Sequence, residues 1–174
     1  ENLQGELLRS STEFWREQCR RPYAPLDLPF DHPREEEVAT PGAEAALVLP
    51  KALAQRLRRL GRLEGATPFA TLLASFQAFL AQQTGQADLL ALVTVAGRNQ
   101  SELRHLVGLV ANVLPMRLDL SGNPSFSQVL QRANQVVASA LAHQLLPLDR
   151  ILELLPASAA GANRSEERRV GKEV

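Results

Sequence analysis

Between Thr67 and Ala87 the chain carries no charged residue, and within that stretch Phe69, Leu72, Leu73, Phe76, Phe79 and Leu80 recur at helical spacing. Thr67 suits the N-cap position and Pro68 the first helical residue. A helix this poor in charge has no strongly solvated face, so it is expected to be packed on most sides. It needs a sheet or further helices laid over it.

The flanking segments are expected to supply part of that cover. Leu7, Leu8, Phe14 and Trp15 recur among Arg9, Glu13, Arg16 and Glu17, which predicts an amphipathic helix over 6–20. Residues 21–42 change character, with Pro22, Pro25, Pro29, Pro33, Pro41 and the run Glu35-Glu36-Glu37. Proline removes backbone donors and restricts the residue before it, so this stretch reads as an extended connector. Residues 43–49 alternate loosely and predict a strand ending at Pro50. Leu53, Leu57 and Leu60 mark one face of a helix whose other face carries Arg56, Arg58 and Arg59, ending near Gly65.

The run Leu89 to Val95 is continuously apolar and predicts a strand buried on both faces. A polar loop over 97–106 leads to a second strand over 109–118, then a turn at Ser121-Gly122-Asn123-Pro124. Phe126, Val129, Leu130, Ala133, Val136, Val137, Ala140 and Leu141 follow helical spacing throughout, giving a core helix capped by Asn123 and opened by Pro124. A short helix over Pro147–Leu155 follows. The fold class is therefore α/β, a mixed sheet packed by helices. Two or three strands cannot cover so many apolar helical faces, so further strands are expected from elsewhere in a longer protein. The start at Glu1, without an initiator Met, agrees with a truncated piece.

Composition narrows the function classes. Nineteen basic residues balance nineteen acidic ones among 174 residues, so no net field favours nucleic acid or an anionic membrane. Cys19 stands alone, which excludes an internal disulfide and a Cys-based zinc site. No apolar run approaches the ~20 residues of a membrane span, and no secretory signal opens the chain, so a cytoplasmic location is expected. The hydrolase pattern G-x-S-x-G, the phosphate loop and the zincin H-E-x-x-H are all missing. His32, His105 and His143 are widely separated and have no carboxylate at helical ligand spacing, so no metal site is expected. Taken by themselves, these residues describe an α/β piece and no chemistry.

Four collinear segments carry more. They are Leu3 to Leu8 with Phe14 to Gln18 and then Leu26 to Arg34; Glu64 to Leu80; Val95-Ala96-Gly97-Arg98-Asn99 with Val107 to Arg117; and His143-Gln144-Leu145-Leu146-Pro147-Leu148-Asp149-Arg150. In order and spacing they resemble the C-terminal half of nonribosomal peptide synthetase condensation domains. Some positions depart from that pattern. Leu109-Val110 replace the family's paired aromatics, Ala111 its valine, and Leu145 the acid after His-Gln, while Asn112 is kept.

The resemblance implies a chloramphenicol acetyltransferase-like half-domain, truncated here. Residues 1–42 would end the N-terminal half and connect it, and residues 43–163 would form the C-terminal half. In such domains two lobes enclose a tunnel, and donor and acceptor carrier proteins insert phosphopantetheine arms from opposite faces. An amine then attacks a thioester. Expected partners are the N-terminal half, the two peptidyl carrier proteins and an adjacent adenylation domain, with no directly bound cofactor.

The family's catalytic signature HHxxxDG has no counterpart here, because no two histidines are adjacent. No catalytic residue is therefore expected in this chain. Asn112, Gly108 and Arg98 are expected along the substrate channel, while Gly97, His143, Gln144 and Pro147 are expected to serve structure. The loop over 97–107 would close the tunnel floor. Two alternatives of the same fold remain open: a related carrier-dependent acyltransferase, and a non-catalytic scaffold. Finally, Arg164 to Glu173 are identical to the in-frame translation of a common sequencing adapter, so residues 164–174 are expected to be non-native.

Overall fold

The computed structural model describes residues 5–29, 46–98, 105, 107–108 and 110–155. The elements run α1 (Glu6–Cys19), α2 (Lys51–Leu63), α3 (Pro68–Thr84), β1 (Asp88–Val95), β2 (Asn112–Asp119), α4 (Phe126–Ala142) and α5 (Leu148–Leu152). The strands pair antiparallel in register, from Asp88 opposite Asp119 to Val95 opposite Asn112.

Strand periodicity puts Leu114, Met116 and Leu118 on one face of β2, and all three are fully buried. They meet Ala70, Leu73 and Ala74 of α3 and Val129, Leu130, Ala133 and Val137 of α4 in one core. Burying each of the Leu, Met and Val side chains stabilises by about 1.5–3 kcal/mol, so this layer is what holds the hairpin to the helices. Gln77 is the polar member of that interface. Its amide donates to the carbonyls of Met116 (3.1 Å) and Leu89 (3.4 Å), tying α3 to both strands. Helices α2 and α3 cross so closely that a Cβ at Gly61 would lie 2.6 Å from the Thr71 hydroxyl.

The caps explain where the helices begin. Thr67 accepts from the Ala70 amide with Pro68 opening α3, as its sequence predicts. Helix α4 departs from expectation, because Asn123 adopts a left-handed φ of 53° in the preceding turn. Ser125 is the N-cap instead, in a reciprocal capping box with Gln128.

Other expectations change as well. Strand β1 is not buried on both faces, since Leu92 is half exposed. The second strand begins at Asn112 rather than 109. Residues 46–50 form no strand, and the remainder of the predicted 43–49 strand lies outside the described residues. Phe126 is partly exposed at the head of α4 rather than in the core. Among the described residues, helix α3 is covered on one side only. Phe69, Leu72, Phe76 and Phe79 form a stripe on its other side, each between 43% and 55% exposed.

Candidate functional site: the base of the hairpin loop and the turn after α4

The residues singled out from the sequence gather at one end of the β1–β2 pair. Gly97 follows β1 with φ of 65°, and a Cβ there would sit 1.9 Å from the Val110 carbonyl oxygen. No side chain fits in that gap, so glycine is what lets the two ends of the loop touch. Arg98 reaches over and donates to the Gly108 carbonyl at 3.1 Å. Together these contacts draw in the base of the loop. Residues 99–104, 106 and 109 lie outside the described residues.

Asn112 opens β2 on the same face as Leu114 and Met116, and its amide engages four backbone groups. Nδ2 donates to the carbonyls of Gln144 (2.9 Å) and Leu146 (2.8 Å). Oδ1 accepts from the amides of Val113 (2.9 Å) and Leu148 (3.2 Å). One asparagine thereby fastens the turn between α4 and α5 to the start of β2. Pro147 ends that turn as the residue preceding α5. Gln144 caps its own helix end by donating to the Leu141 carbonyl at 2.8 Å.

His143 closes α4 and meets α1 from three directions. Its ring stacks on Phe14 at 4.3 Å with 17° between planes. Its Nδ1 lies 3.3 Å from the Ser11 hydroxyl, and its carbonyl accepts from the Trp15 indole N–H at 3.1 Å. A hydroxyl beside an imidazole is the opening of a nucleophile–base arrangement. Here Ser11 is buried and Phe14 covers the ring, and neither Ser11 nor His143 lines the cavity nearby. The pair therefore docks α1 onto the end of α4. His105 is exposed in a turn, and His32 lies outside the described residues.

A second fastening has no signal in the residue pattern. Arg117 pairs with Asp88 through two contacts, Nε donating to Oδ1 at 2.7 Å and Nη2 meeting Oδ2. The same guanidinium donates to the carbonyls of Arg21 (2.7 Å) and Pro22 (3.1 Å), and its hydrogen bond to Asp88 holds its proton more tightly than usual. Gln86 donates to the Pro25 carbonyl and accepts from the Asp27 amide, both at 2.9 Å. The connector after α1 is thus strapped across the hairpin. Burial pushes the Cys19 thiol up, a shift that Arg117 partly opposes. Asp119 is held below the usual carboxylate range by Ser121, whose amide it accepts at 2.8 Å.

A cavity of about 740 Å3 lies between these fastenings, walled by Trp15, Tyr23, Leu26, Leu90, Val136 and Ile151. Its charged lining groups include Asp88 and Arg117, which neutralise one another. Among the described residues, no cluster of three His, Cys, Asp or Glu side chains could hold a metal. The arrangement shapes a surface and positions backbone.

Residues 1–164 match the family model for the condensation domain. The chain belongs to the condensation-domain family. It is 40% identical over 153 residues to a linear gramicidin synthase of Brevibacillus parabrevis, covering 88% of this chain and 2% of that protein. Among solved structures it resembles SgcC5 of Streptomyces globisporus, with TM-score 0.74 and 30% identity, covering 92% of this chain and 36% of that one. It also resembles the X-domain from teicoplanin biosynthesis, with TM-score 0.79 and 28% identity, over 90% of this chain and 35% of the other. This condensation-domain chain therefore spans about a third of these two structures and a small part of the synthetase. The relatives agree with the expected α/β, acetyltransferase-like fold. Among the described residues, no helix is long and apolar enough to cross a membrane.

Proposed function

We propose that this chain is the C-terminal half of a condensation domain that joins a carrier-bound aminoacyl or peptidyl thioester to the amine of a second carrier-bound residue. Aminolysis of a thioester is downhill, so the protein must chiefly align two reactants and manage one proton. Alignment contributes ~7–11 kcal/mol in favourable cases, and a positioned base adds ~10²–10⁴-fold. The base belongs to the HHxxxDG motif, which lies outside these residues. The chain alone is inactive.

The observation that carries this reading is the family match over residues 1–164 in a chain without adjacent histidines. Within that half, Gly97, Arg98 and Gly108 set the base of the loop that closes the floor of the tunnel. Asn112 serves the channel wall indirectly, by holding the turn from Gln144 to Leu148. The exposed stripe of α3 supports a missing partner lobe, since an apolar row of this kind is costly in water. Residues 164–174, which lie outside the described residues, are not native to the domain.

Two measurements test the proposal. Upstream coding sequence should contain the paired histidines, and replacing the second with Ala should abolish peptide formation between loaded carrier proteins. Product formed by the 174-residue chain unaided would overturn it, as would upstream sequence with no paired histidines.

A second reading has its own support. The X-domain is structurally similar to this chain also in its complex with OxyB, with TM-score 0.78 and 27% identity. On that reading the parent recruits a protein partner and catalyses nothing. Upstream sequence lacking the histidine pair would favour it.

A further inference from the structure

Helix α2 breaks the usual rules for a surface helix, and in one direction. Its thirteen residues hold Lys51, Arg56, Arg58, Arg59 and Arg62 and no acid. All five are exposed, and among the described residues none has a hydrogen-bond or ion-pair partner for its side chain. Glu64, the acid nearest in sequence, is engaged by Gln131 at 3.0 Å. Three pairs of like charges, 56 with 59, 58 with 62 and 59 with 62, fall at spacings that repel on a helix. Lys51 adds a cation at the N-terminal end, where the helix dipole disfavours one. Arg62 in the last turn suits the helix dipole, but the three repelling pairs and Lys51 oppose helix formation, and no acidic side chain among the described residues answers them. Local conflicts of this kind mark functional surfaces.

We infer that the outer face of α2 docks against an acidic surface on a neighbouring protein domain. Three observations favour a protein over a phosphate-bearing partner. Four of the five cations are arginine, which protein interfaces enrich while depleting lysine. Leu63 is 74% exposed and falls between Arg56 and Arg59 around the helix, so the face carries an apolar anchor that phosphate contacts do not use. The chain as a whole has no net charge to drive non-specific binding of nucleic acid. A membrane-surface helix would need its apolar side free. Here Gly61 is buried against Thr71 of α3, and Leu60 packs on the core.

The neighbour is a domain of the same polypeptide, a point that rests on the proposed function, since the synthetase relative is about fifty times longer than the matched stretch.

The test is zero-length carbodiimide coupling on the intact synthetase, read by peptide mass spectrometry. The expected product joins the Lys51 amine to an Asp or Glu of another domain. The triple variant R58Q/R59Q/R62Q should cut its yield about tenfold, as loss of a steering patch does. R58K/R59K/R62K keeps the charge and should cut it less, which separates lost docking from a damaged fold. Carboxylates coupled only within this domain would overturn the inference. So would unchanged yield in the triple variant, or retention of this face on poly-U RNA or phosphatidylserine vesicles without any interdomain product. Peptide formation measured in the same preparations reports on the proposed function separately.

Discussion

At Gly97 two demands coincide, a left-handed φ and a gap too small for a methyl group. The Gly97→Ala variant of the complete domain is expected to lose about 2–4 kcal/mol, seen as a lower urea midpoint. An unchanged midpoint would show that the loop base is not closed as described. Asn112 is demanding in another way, because Nδ2 faces two carbonyls while Oδ1 faces two amides. Asn112→Ala is expected to cost about 2–4 kcal/mol and to speed amide exchange at Leu148. Asn112→Asp should recover little, since a carboxylate would oppose the Gln144 and Leu146 carbonyls. The sequence could mark Asn112 by resemblance but not say what it touches, as three of its four partners lie 32 to 36 residues away. Cys19 gives a pH-dependent readout. Its folded pKa is raised by burial, so the protonated thiol's contribution is intact below the unfolded pKa of about 8.5. It is lost as pH rises through that value toward the folded one. Cys19→Ala should flatten the alkaline fall in stability, and the native thiol should react slowly with disulfide reagents until the protein unfolds.

Most helices were legible because their signals are local. Helices α1, α3 and α4 lie within a few residues of where apolar spacing puts them, and Thr67-Pro68 marks the start of α3 in the sequence itself. The cap of α4 is misplaced from sequence, because Asn123-Pro124 is the more obvious pair and draws the reading away from Ser125-x-x-Gln128. Strand β1 was harder, because a continuous apolar run does not say how many layers cover it. The described layer covers one face, and Leu92 on the other is open. The docking of α1 carries a convenient reporter. Trp15 is the chain's single tryptophan, 1% exposed, and is bonded to the residue that closes α4. His143→Ala keeps that carbonyl but removes the Phe14 stacking and the Ser11 contact. Its tryptophan emission should shift to the red with the rest of the fold retained. Emission identical to wild type would show that the imidazole has no part in seating α1.

At the scale of the molecule, the hairpin and two helices make one core, while the second face of α3 has nothing on it among the described residues. The purified chain is expected to bind hydrophobic dyes and to melt over a broad range. Adding the remainder of the domain should abolish dye binding and sharpen the transition. A sharp melt without dye binding would mean that Phe69, Leu72, Phe76 and Phe79 are tolerated in water, and would remove one support for a partner lobe. The strapping of the connector could not be foreseen, since Arg117 and Gln86 reach segments about 60 to 96 residues away. Both grip main-chain atoms and ignore the side chains of Arg21, Pro22, Pro25 and Asp27 as such. The path of this segment is therefore fixed by its backbone, while the letters at 21, 22, 25 and 27 stay free to drift and Tyr23 and Leu26 answer to the cavity they wall. Stretches spanning residues 21–28 should be interchangeable between distant relatives that keep an apolar side chain at 23, 26 and 28, without re-engineering either side of the junction.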